Sequence, residues 1–510
     1  MRALISVYDK TGVDELARGL HELGWQLVAS GKTAATLEEL GLPVEHVERI
    51  TDSPEMLGGR VKTLHPRIHA GILARRDEAD DVATLAEHSI EPFDLVCVNL
   101  YPFEQVSARQ GVTEAEAVEM IDIGGPSMLR GAAKNFAHVA PVCDPAQYGP
   151  LLEELRASGE ISLETRRRLA AEAFSHTAGY EAAIAGWFNA TETFPASLVV
   201  SLEKAQELTY GENPHQRAAY YAERGARRHL LSRVEQLHGK ELSFNNLNDL
   251  SGARALAREF ALPACVIVKH ANPCGVAIGA TLEEAYDKAL ASDPTSAYGG
   301  VVVLNREVEG PLGEKLAEQF VEVLFAPGYT EDALAALQKK KNTRILLDSE
   351  RRAGAPGERH YKRVLGGMLV QDSDSDIDDR EGWDVVAGDV TEAQWGDLIF
   401  AWRVCKHVAS NAIVLAKDLA TIGIGAGQMS RVDSVRIAVE KAAEFGHDAR
   451  GSVLASDAFF PFADGPQLAL DAGATAIVQP GGSRRDDEVI AAIAAAGATM
   501  VFTGRRHFRH

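Results

Sequence analysis

Short apolar runs alternate with stretches of helical spacing along the first 145 residues of the chain. The runs ALISVYD, WQLVAS, FDLVCVNLYPF and HVAPVCD each have the length and composition of a buried strand. Between the first two runs, apolar residues recur at Val13, Leu16 and Leu20, which predicts a helix that ends near Gly24. Strands that alternate with helices predict a parallel sheet covered by helices on both faces.

A purely helical pattern follows over residues 146–190 and ends at the break TETFPAS, residues 191–197. We therefore predict a first domain over 1–195, with an α/β core at 1–145 and a helical part at 146–195. The predicted second domain, 198–510, mixes strands and helices again. Its acidic stretch QDSDSDIDD, residues 371–379, lacks the glycine and glutamate of a calcium loop, and we interpret it as a solvated surface loop.

The second domain contains an internal echo. ACVIVKHANPCG at 264–275 resembles FAWRVCKHVASNA at 400–412, since both are apolar runs that end in Lys-His with an asparagine close behind. A Ser-Asp element follows each run, at 292 and at 456. Two copies of one α/β unit would explain the echo, although the matching stretch is short.

Charge and cysteine content narrow the classes of function. The 510 residues include 52 Lys and Arg against 73 Asp and Glu, a formal net charge of −21, which disfavours nucleic acid and anionic membranes as partners. Five cysteines without C-x-x-C spacing argue against a disulfide framework or a zinc site and fit a reducing cytoplasm. The start MRALISVYDK lacks the long apolar core of a signal peptide. The sequence contains no run of eighteen apolar residues, so we predict no membrane span.

Four segments of the first domain place polar or glycine residues where predicted strands end or helices begin. They are ASGKTAA at 29–35, GRVKTLHPRIHAGILARR at 59–76, NLYPF at 99–103 and IDIGGPSMLRGAAKN at 121–135. A helix N-terminus suits a phosphate, and α/β sheets bind ligands outside the carboxyl ends of their strands. The second segment also gathers the cations Arg60, Lys62, His65, Arg67 and His69. Alone, ASGKTAA is better explained by helix capping, the second segment is explained equally well by a solvated charged loop, and the other two can be a turn or a cap. Their convergence on one sheet edge favours a site.

The pair Lys269–His270 carries the most informative chemistry of the second domain. Histidine can move protons at cellular pH, and a neighbouring ammonium can stabilise a developing oxyanion. A histidine at a strand end is more often structural, however, and Lys406–His407 repeats the dipeptide. Spacing alone does not decide between the two copies. The glycines of TIGIGAGQMSR, residues 421–431, match a dinucleotide fingerprint only in part.

Taken together, these motifs closely resemble one family, the bifunctional purine biosynthesis proteins, which join AICAR formyltransferase to IMP cyclohydrolase. The resemblance runs nearly end to end. Its motifs are ISVYDKTG, GRVKTLHPRIHAGIL, VNLYPF, IDIGGPSMLRGAAKN, YGENPHQ, GKELSFNN, VKHANPCG, SDPTSAYGG, SNAIVLAKD, GIGAGQMSR, LASDAFFPF, QPGGSRRDDEVI and RHFRH.

The resemblance implies two consecutive reactions. The C-terminal part moves a formyl group from 10-formyltetrahydrofolate to the 5-amino group of AICAR, and the N-terminal part closes formyl-AICAR to IMP with loss of water. By resemblance, His270 transfers the proton, Lys269 stabilises charge and Asn411 orients the reacting groups. The implied substrate and folate contacts of this part are Tyr210, Gly211, Asn213, His215, Asn246, Phe459, Asp464 and Arg506.

For ring closure, the resemblance implies a second set of residues. The catalytic positions of the family match Lys62, Tyr101, Asp122 and Lys134. Its nucleotide, phosphate and backbone contacts match Ser6, Lys10, Ser30, Thr33, Arg60, Thr63, Gly124 and Gly125. Three departures stand out, since Tyr8, Lys32 and Thr209 occupy positions where the family often has other residues.

The resemblance also implies the fold and the partners. It predicts a methylglyoxal-synthase-like parallel-sheet domain followed by two cytidine-deaminase-like α/β units. It implies no tightly bound cofactor and no catalytic metal, and it leaves room for a monovalent cation. We expect a cytoplasmic homodimer whose formyl-transfer sites form between subunits. The rival hypotheses are a cyclohydrolase-only enzyme, suggested by Thr209, and a nucleotide-binding regulator without catalysis.

Overall fold

A computed structural model describes residues 1–54, 56–57, 60–224, 231, 234–348, 358–375 and 380–510. The chain forms two compact units. The first contains Met1–Glu203 together with Glu223 and Arg224, and the second contains Lys204–Ala222 with the described residues from 231 onwards. The division between Glu203 and Lys204 lies a few residues after the predicted boundary at 191–197.

The first unit is built on a five-stranded parallel sheet in the order β3-β2-β1-β4-β5. Its elements are β1 (Arg2–Val7), α1 (Val13–Glu22), β2 (Gln26–Ala29), α2 (Gly31–Glu39), β3 (Val44–His46), α3 (Val47–Thr51), α4 (Pro66–Leu73), α5 (Ala79–Glu87), β4 (Leu95–Asn99), α6 (Phe103–Ser107), α7 (Glu114–Glu119), α8 (Gly124–Lys134), β5 (Ala140–Val142), α9 (Tyr148–Ser158) and α10 (Leu163–Phe188).

Burial explains why the strand runs of this unit are apolar at nearly every position. Five of the six β1 residues are buried, as are the first four residues of β4, because helices cover both faces of the sheet. One core cluster packs Leu16 and Leu20 of α1 against one face, and a second packs Ile72 of α4 and Leu129 of α8 against the other. The parallel sheet predicted from the alternating pattern is confirmed.

The second unit is built on a 12-stranded mixed sheet, with two small two-stranded sheets beside it, β6-β7 and β14-β15. Its strands and those of the connecting segment are β6 (Leu202–Leu208), β7 (Ala218–Glu223), β8 (Glu235–His238), β9 (Ala264–Lys269), β10 (Asn272–Ile278), β11 (Val301–Leu304), β12 (Val323–Ala326), β13 (Arg344–Leu347), β14 (Arg359–Val364), β15 (Gly367–Asp372), β16 (Asp384–Ala387), β17 (Ile413–Lys417), β18 (Ala420–Gly425), β19 (Val453–Ser456), β20 (Ala476–Gln479) and β21 (Thr499–Phe502).

Helices cover this sheet on both sides. They are α11 (Phe244–Ala257), α12 (Leu282–Ser292), α13 (Pro294–Ala297), α14 (Gly310–Glu318), α15 (Glu331–Leu337), α16 (Glu392–Cys405), α17 (Arg431–Glu444), α18 (Asp464–Ala472) and α19 (Asp486–Ala495). None of the helices within the described ranges combines the length and apolar character needed to cross a bilayer. Of the acidic stretch 371–379, the first two residues end the exposed strand β15, and 376–379 lie outside the described residues.

The strand order reveals two halves of the same topology. Reading outwards from the centre, one half runs β10-β9-β11-β12-β13-β8 and the other runs β18-β17-β19-β20-β21-β16. The sequence of antiparallel and parallel pairings is identical in the two halves. The halves join where β10 pairs antiparallel with β18, at Ala277 and Ala420. The second unit therefore contains two copies of one α/β unit.

This topology corrects the register of the sequence echo. Lys269 ends β9 and its counterpart is Lys417, which ends β17. Lys406 and His407 instead follow helix α16, so the two Lys-His dipeptides occupy different positions in their halves. The Ser-Asp elements differ too, since Ser292 ends a helix and Ser456 ends a strand. In a short apolar run, the end of a helix and the end of a strand have the same sequence pattern. The predicted alignment of the two Lys-His dipeptides was wrong for this reason.

Equivalent glycines support the corrected register. Gly275 on β10 and Gly423 on β18 each lie against a helix carbonyl, that of Ala289 on α12 and that of Ala438 on α17. A Cβ atom at either glycine would overlap the carbonyl oxygen. Each half thus packs a helix onto its hairpin strand at the same close approach.

Candidate active sites

The predicted site segments of the first unit meet where its strand order reverses. Because β1 lies between β2 and β4, the carboxyl ends of β1 and β4 flank the topological switch point of the sheet. Ser6 is half-buried near the end of β1, and Asn99 ends β4. The Asn99 side-chain oxygen accepts from the backbone N–H groups of Tyr8 and Asp9, which fixes the loop after β1 against the end of β4.

Helix α2 begins at the same edge of the sheet. Ser30 is its buried N-cap residue, although its side chain makes no cap hydrogen bond. The Thr33 hydroxyl accepts from the Val7 N–H at 3.2 Å and also accepts from the Lys10 ammonium at 3.1 Å. Burial, followed by the positive charge of Lys32, lowers the pKa of Lys10. The N-terminus of α2, with the Lys10 ammonium next to it, therefore lies beside strand β1. A positive helix N-terminus of this kind is suited to binding a phosphate.

The loop before α4 closes over this helix end. The Lys62 ammonium lies directly against Gly31, where φ is +48° and an added Cβ would meet the Lys62 nitrogen. The buried Thr63 hydroxyl lies against Gly124, the first residue of α8. The loop thus contacts the N-termini of both α2 and α8, at the edge of the sheet where we predict ligand binding.

Asp122 is positioned immediately before α8. Its carboxylate accepts from the Gly125 N–H at 2.8 Å, and its own N–H donates to the Tyr180 hydroxyl at 2.8 Å. Burial raises the pKa of Asp122, although the N–H groups of Gly125 and Tyr101 act in the opposite direction. A carboxyl group with a raised pKa is suited to proton transfer near neutral pH. Tyr180, which the sequence reading missed, has no signal beyond its place on a helix.

Two residues predicted for this site lie elsewhere. Lys134 is exposed at the last residue of α8, whereas Gly124 begins that helix. The rise of an α-helix separates its two ends by about 15 Å. Arg60 has an exposed side chain and pairs with Glu119 rather than joining the helix ends. Of the predicted cation cluster, His65 caps α4 and Arg67 donates to the Ile50 carbonyl. The His69 ring is half-buried, and this burial lowers its pKa.

In the second unit, Lys269 and His270 lie at the tip of the β9–β10 hairpin. His270 and Ala271 form its two-residue turn, with φ of 52° and 61°. The His270 side chain is exposed, and the Lys269 ammonium donates to the carbonyls of Tyr298 at 3.2 Å and Gly299 at 2.7 Å. A cleft of about 280 Å³ adjoins the pair, and Asp293 and Lys441 also line it.

The hairpin contacts the loop that carries Asn411. The Asn272 side-chain oxygen accepts from the Ala409 N–H at 2.9 Å. Two residues on, the Asn411 amide donates to the Gln428 carbonyl at 2.9 Å and accepts from Arg431 at 2.6 Å. Lys269, His270 and Asn411 are therefore joined by one short series of contacts.

A buried ion pair, missed in the sequence, supports the Asn411 loop. Arg431 pairs with Asp457, which is fully buried, and Asp457 also accepts from the Ser410 hydroxyl at 2.6 Å. The chain end packs on the same group, since the His507 N–H donates to the Asp457 carbonyl at 3.1 Å. The arginine in GIGAGQMSR and the aspartate in LASDAFFPF gave the only sequence signal.

The structure also separates the two Lys-His copies. The His407 ring is bonded to Glu259 at 3.0 Å, and the Lys406 ammonium lies 3.3 Å from the same carboxylate. Burial lowers the pKa of His407, against the influence of Glu259. This second pair is a buried structural contact, whereas His270 is exposed at a hairpin tip.

The remaining predicted contacts occupy two surfaces of the second unit. The YGENPHQ turn is held by Gly211 and Asn213, which bond to Gln216, and the Tyr210 carbonyl accepts from Phe244. His215 is exposed, but Asn246 is buried and its oxygen accepts from the Ser243 N–H at 3.0 Å, so it caps α11 rather than pointing outwards. Phe459, Asp464 and Arg506 are all exposed. No polar contact joins these three within the described chain.

Comparison with known proteins agrees with this arrangement. The MGS-like domain model matches residues 12–127, and the AICARFT/IMPCHase bienzyme model matches residues 132–441. The chain belongs to the AICARFT/IMPCHase bienzyme family. It is accordingly a bifunctional enzyme of purine biosynthesis with formyltransferase and cyclohydrolase activities, and the family predicted from its motifs is confirmed.

Full-length relatives share about half of the residues. The bifunctional purine biosynthesis protein PurH of Chloroflexus aurantiacus is 54% identical over 100% of this chain and 99% of its own. The PurH proteins of Anoxybacillus flavithermus and Rhodopirellula baltica are 50% and 51% identical, again over 100% of this chain and over 99% and 98% of theirs. The crystal structure of ForH matches 38% of this chain and 98% of its own at 40% identity, with a TM-score of 0.35.

The structure shows the surroundings of the three residues that depart from the usual family sequence. Tyr8 is half-exposed and its ring centroid lies 5.5 Å from that of Tyr101, so it packs against a predicted catalytic residue. Lys32 is exposed beside Lys10 at the start of α2. The Thr209 hydroxyl donates to the Leu242 carbonyl at 3.0 Å and so serves the local structure.

We expect Gly31→Ala to lower the cyclohydrolase rate by up to about 100-fold, because the new methyl group displaces the Lys62 ammonium. Gly41→Ala is the matched control, since Gly41 also has positive φ but has nothing within 4 Å of an added Cβ. Both variants bear the same left-handed strain of about 1 kcal/mol. The measurement is the turnover of formyl-AICAR, and equal rates in the two variants would contradict the role given to the Lys62 contact.

We expect Arg431→Met to destabilise the second unit by about 3–5 kcal/mol, because it leaves the Asp457 carboxylate buried without a counter-charge. Arg436→Met is the control on the same helix, where an exposed pair with Asp433 contributes little. Urea unfolding followed by tryptophan fluorescence measures the difference. Equal loss in both variants would show that the Asp457 contact is not the support described.

Proposed function

We propose that the two reactions are divided between the two units, with formyl transfer at the His270 hairpin and ring closure at the β1–β4 edge. The observation that carries this division is the placement of the two clusters, each formed by residues of one unit. Lys62, Asp122 and the helix ends belong to the first unit, and the hairpin with Asn411 belongs to the second. The substrates we assign are AICAR, formyl-AICAR and 10-formyltetrahydrofolate, with IMP as the product.

Formyl transfer needs a base, because the AICAR amine is conjugated and is a weak nucleophile. As the amine attacks the formyl carbon, the exposed His270 ring takes its proton. The bond from the formyl carbon to the folate nitrogen then breaks, and that nitrogen receives the proton from His270. Lys269 supplies a positive charge whose position is fixed by the carbonyls of Tyr298 and Gly299. That charge stabilises the oxyanion formed on the formyl oxygen. Asn411, held by Arg431, orients the reacting groups.

Ring closure needs less chemical assistance, because both reacting groups belong to one molecule. The helix ends of α2 and α8, with Lys10 and Thr63, bind the phosphate and hold the substrate in a folded conformation. Lys62 polarises the formyl oxygen, and Asp122 transfers protons from its partly buried position. Tyr101, packed against Tyr8, closes one side of the site.

We further propose a homodimer in the cytoplasm. The hairpin of β14 and β15 supports the dimer, because Leu365, Met368 and Leu369 at its tip are exposed, and exposed apolar patches mark interaction surfaces. The exposure of Phe459 and Arg506 supports a formyl-transfer site shared between subunits. All five cysteines are free thiols, in keeping with a reducing compartment.

The division of labour predicts a double dissociation between two variants. We expect His270→Ala to lower formyl transfer by about 100-fold or more while leaving the cyclisation of supplied formyl-AICAR intact. Asp122→Asn should do the reverse, because it removes a proton-transferring carboxylate from the other unit. The assays supply AICAR with 10-formyltetrahydrofolate in one case and formyl-AICAR in the other.

His407→Ala is a histidine control, since the His407 ring is bonded to Glu259 rather than exposed at the hairpin tip. Loss of both activities in one folded variant would refute the division. Activity of the unmodified chain on formyl-AICAR alone would instead favour the cyclohydrolase-only enzyme, and activity on neither substrate would favour the regulator.

The proposed dimer has its own test. Replacing Leu365 and Leu369 with Asp places charges on the exposed hairpin and should shift the sedimentation coefficient from dimer to monomer. We expect formyl transfer to fall with dissociation while cyclisation stays, because only the former site is shared. A variant that sediments like the unmodified chain would show that this hairpin is not the interface.

A further inference from the structure

Each half of the second unit holds its central hairpin turn in the same way. An aspartate on the preceding helix accepts hydrogen bonds from the backbone of the two turn residues. In the first half, Asp249 of α11 accepts from the Ala271 N–H at 2.8 Å. In the second half, Asp397 of α16 accepts from the Asp418 N–H at 3.0 Å and from the Leu419 N–H at 2.7 Å. The two aspartates are equivalent in the duplicated topology.

The turns require such support because of their backbone conformation. His270 and Ala271 have φ of 52° and 61°, and Asp418 and Leu419 have φ of 53° and 56°. Two-residue hairpin turns of this type favour asparagine and glycine, because side chains are strained at positive φ. Neither turn contains glycine. The hydrogen bonds to the aspartate therefore offset strain that the turn sequence itself does not relieve.

Only one of the two turns carries a candidate catalytic residue. Lys269 and Lys417 occupy equivalent strand ends, but the next residue is His270 in one half and Asp418 in the other. Duplication thus provides two copies of one structural device, one beneath the proposed base and one remote from it. Each aspartate can be removed in turn. The difference between the two losses of formyl-transfer rate then measures how much the support of the His270 turn contributes to catalysis.

We propose that Asp249 is a positioning residue for formyl transfer, which fixes the backbone of His270 so that its ring projects from the hairpin tip towards the substrate. The inference rests on the function proposed for His270. The inference goes beyond that proposed function because it names the residue that sets the geometry of the base. Nothing in the family motifs quoted above assigns Asp249 that role.

The surroundings of Asp249 agree with a positioning role. The side chain is half-buried, and burial raises the pKa of its carboxyl, while the N–H groups of Ala271 and His270 and the charges of His270 and Lys269 act in the opposite direction. The carboxylate thus lies beneath both members of the proposed catalytic pair. It bonds to the backbone and leaves the imidazole itself unobstructed.

The experiment compares Asp249→Ala with Asp397→Ala in the full-length chain. We expect Asp249→Ala to lower kcat for formyl transfer by up to about 100-fold with a smaller change in KM for AICAR, because the base is misplaced rather than the substrate pocket lost. Asp397→Ala should lower the thermal midpoint by a similar amount and leave kcat near that of the unmodified chain. Asp249→Asn keeps an oxygen that accepts from Ala271 and should restore most of the rate.

A second comparison asks whether Asp249 acts through His270. Adding Asp249→Ala to His270→Ala should cause no further loss, since the positioned group is already absent. If Asp249→Ala does not fold, Asp249→Glu replaces it, with Asp397→Glu as the control, because the longer side chain displaces the turn while keeping the charge. The thermal midpoint, followed by tryptophan fluorescence, reports on the integrity of the second unit in each preparation.

The outcomes separate the inference from the function on which it rests. Equal kcat losses in the Asp249 and Asp397 variants, or an independent loss in the His270→Ala background, would overturn the positioning role. Full formyl transfer by His270→Ala would instead overturn the function proposed for His270, whatever the aspartate variants do.

Discussion

The seam between strands β10 and β18 is the contact on which the second unit depends, since it joins two six-stranded halves into one sheet. Backbone pairing there is brief, with one registered pair at Ala277 and Ala420. The fully buried hydroxyl of Thr421 extends it, because it accepts from the Val276 N–H at 3.0 Å and donates to the Val276 carbonyl at 3.2 Å. Ser292 lies 2.9 Å from the same hydroxyl. A side chain thus substitutes for missing backbone bonds at a fully buried position.

Joining the halves in this way places loops from both of them around the proposed formyl-transfer site. The hairpin with His270 comes from the first half, and the Asn411 loop and Arg431 come from the second. The bond from Asn272 to Ala409 links the two across the seam. Duplication therefore supplied a scaffold in which one copy of the hairpin could carry the base while the other copy kept a purely structural turn.

The first unit forms its proposed site at the edge of a single sheet. Its order reversal between β1 and β4 leaves a crevice, and two helix N-termini and a short loop face it. In the site we propose there, backbone N–H groups provide most of the phosphate-binding chemistry, and the partly buried carboxyl of Asp122 transfers the protons. This economy suits a ring closure in which the substrate supplies both reacting groups.

Local patterns predicted much of this molecule because they depend on short-range physics. The buried parallel strands follow from uninterrupted apolar runs. The start of α2 at Gly31 follows from Ser30 and Gly31 directly after a strand, and the start of α8 follows from the pair Gly124–Gly125. The motifs for family membership are also local, and they identified both reactions. The duplication was visible too, but with the wrong register, because a helix that ends in Lys406–His407 and a strand that ends in Lys269–His270 read alike.

What the sequence by itself determined was therefore the element types and the family, and it supplied the candidate residues of the two proposed sites. Tertiary structure alone decided which Lys-His pair is exposed and that Lys134 lies at the far end of its helix. It also decided that Asp249 bonds to the turn of the His270 hairpin and that the Arg431–Asp457 pair bonds to the Asn411 loop. The physical reason is that burial and hydrogen bonding between residues far apart in the chain leave no periodic signal. Only folding reveals which polar side chains face a partner and which face the substrate.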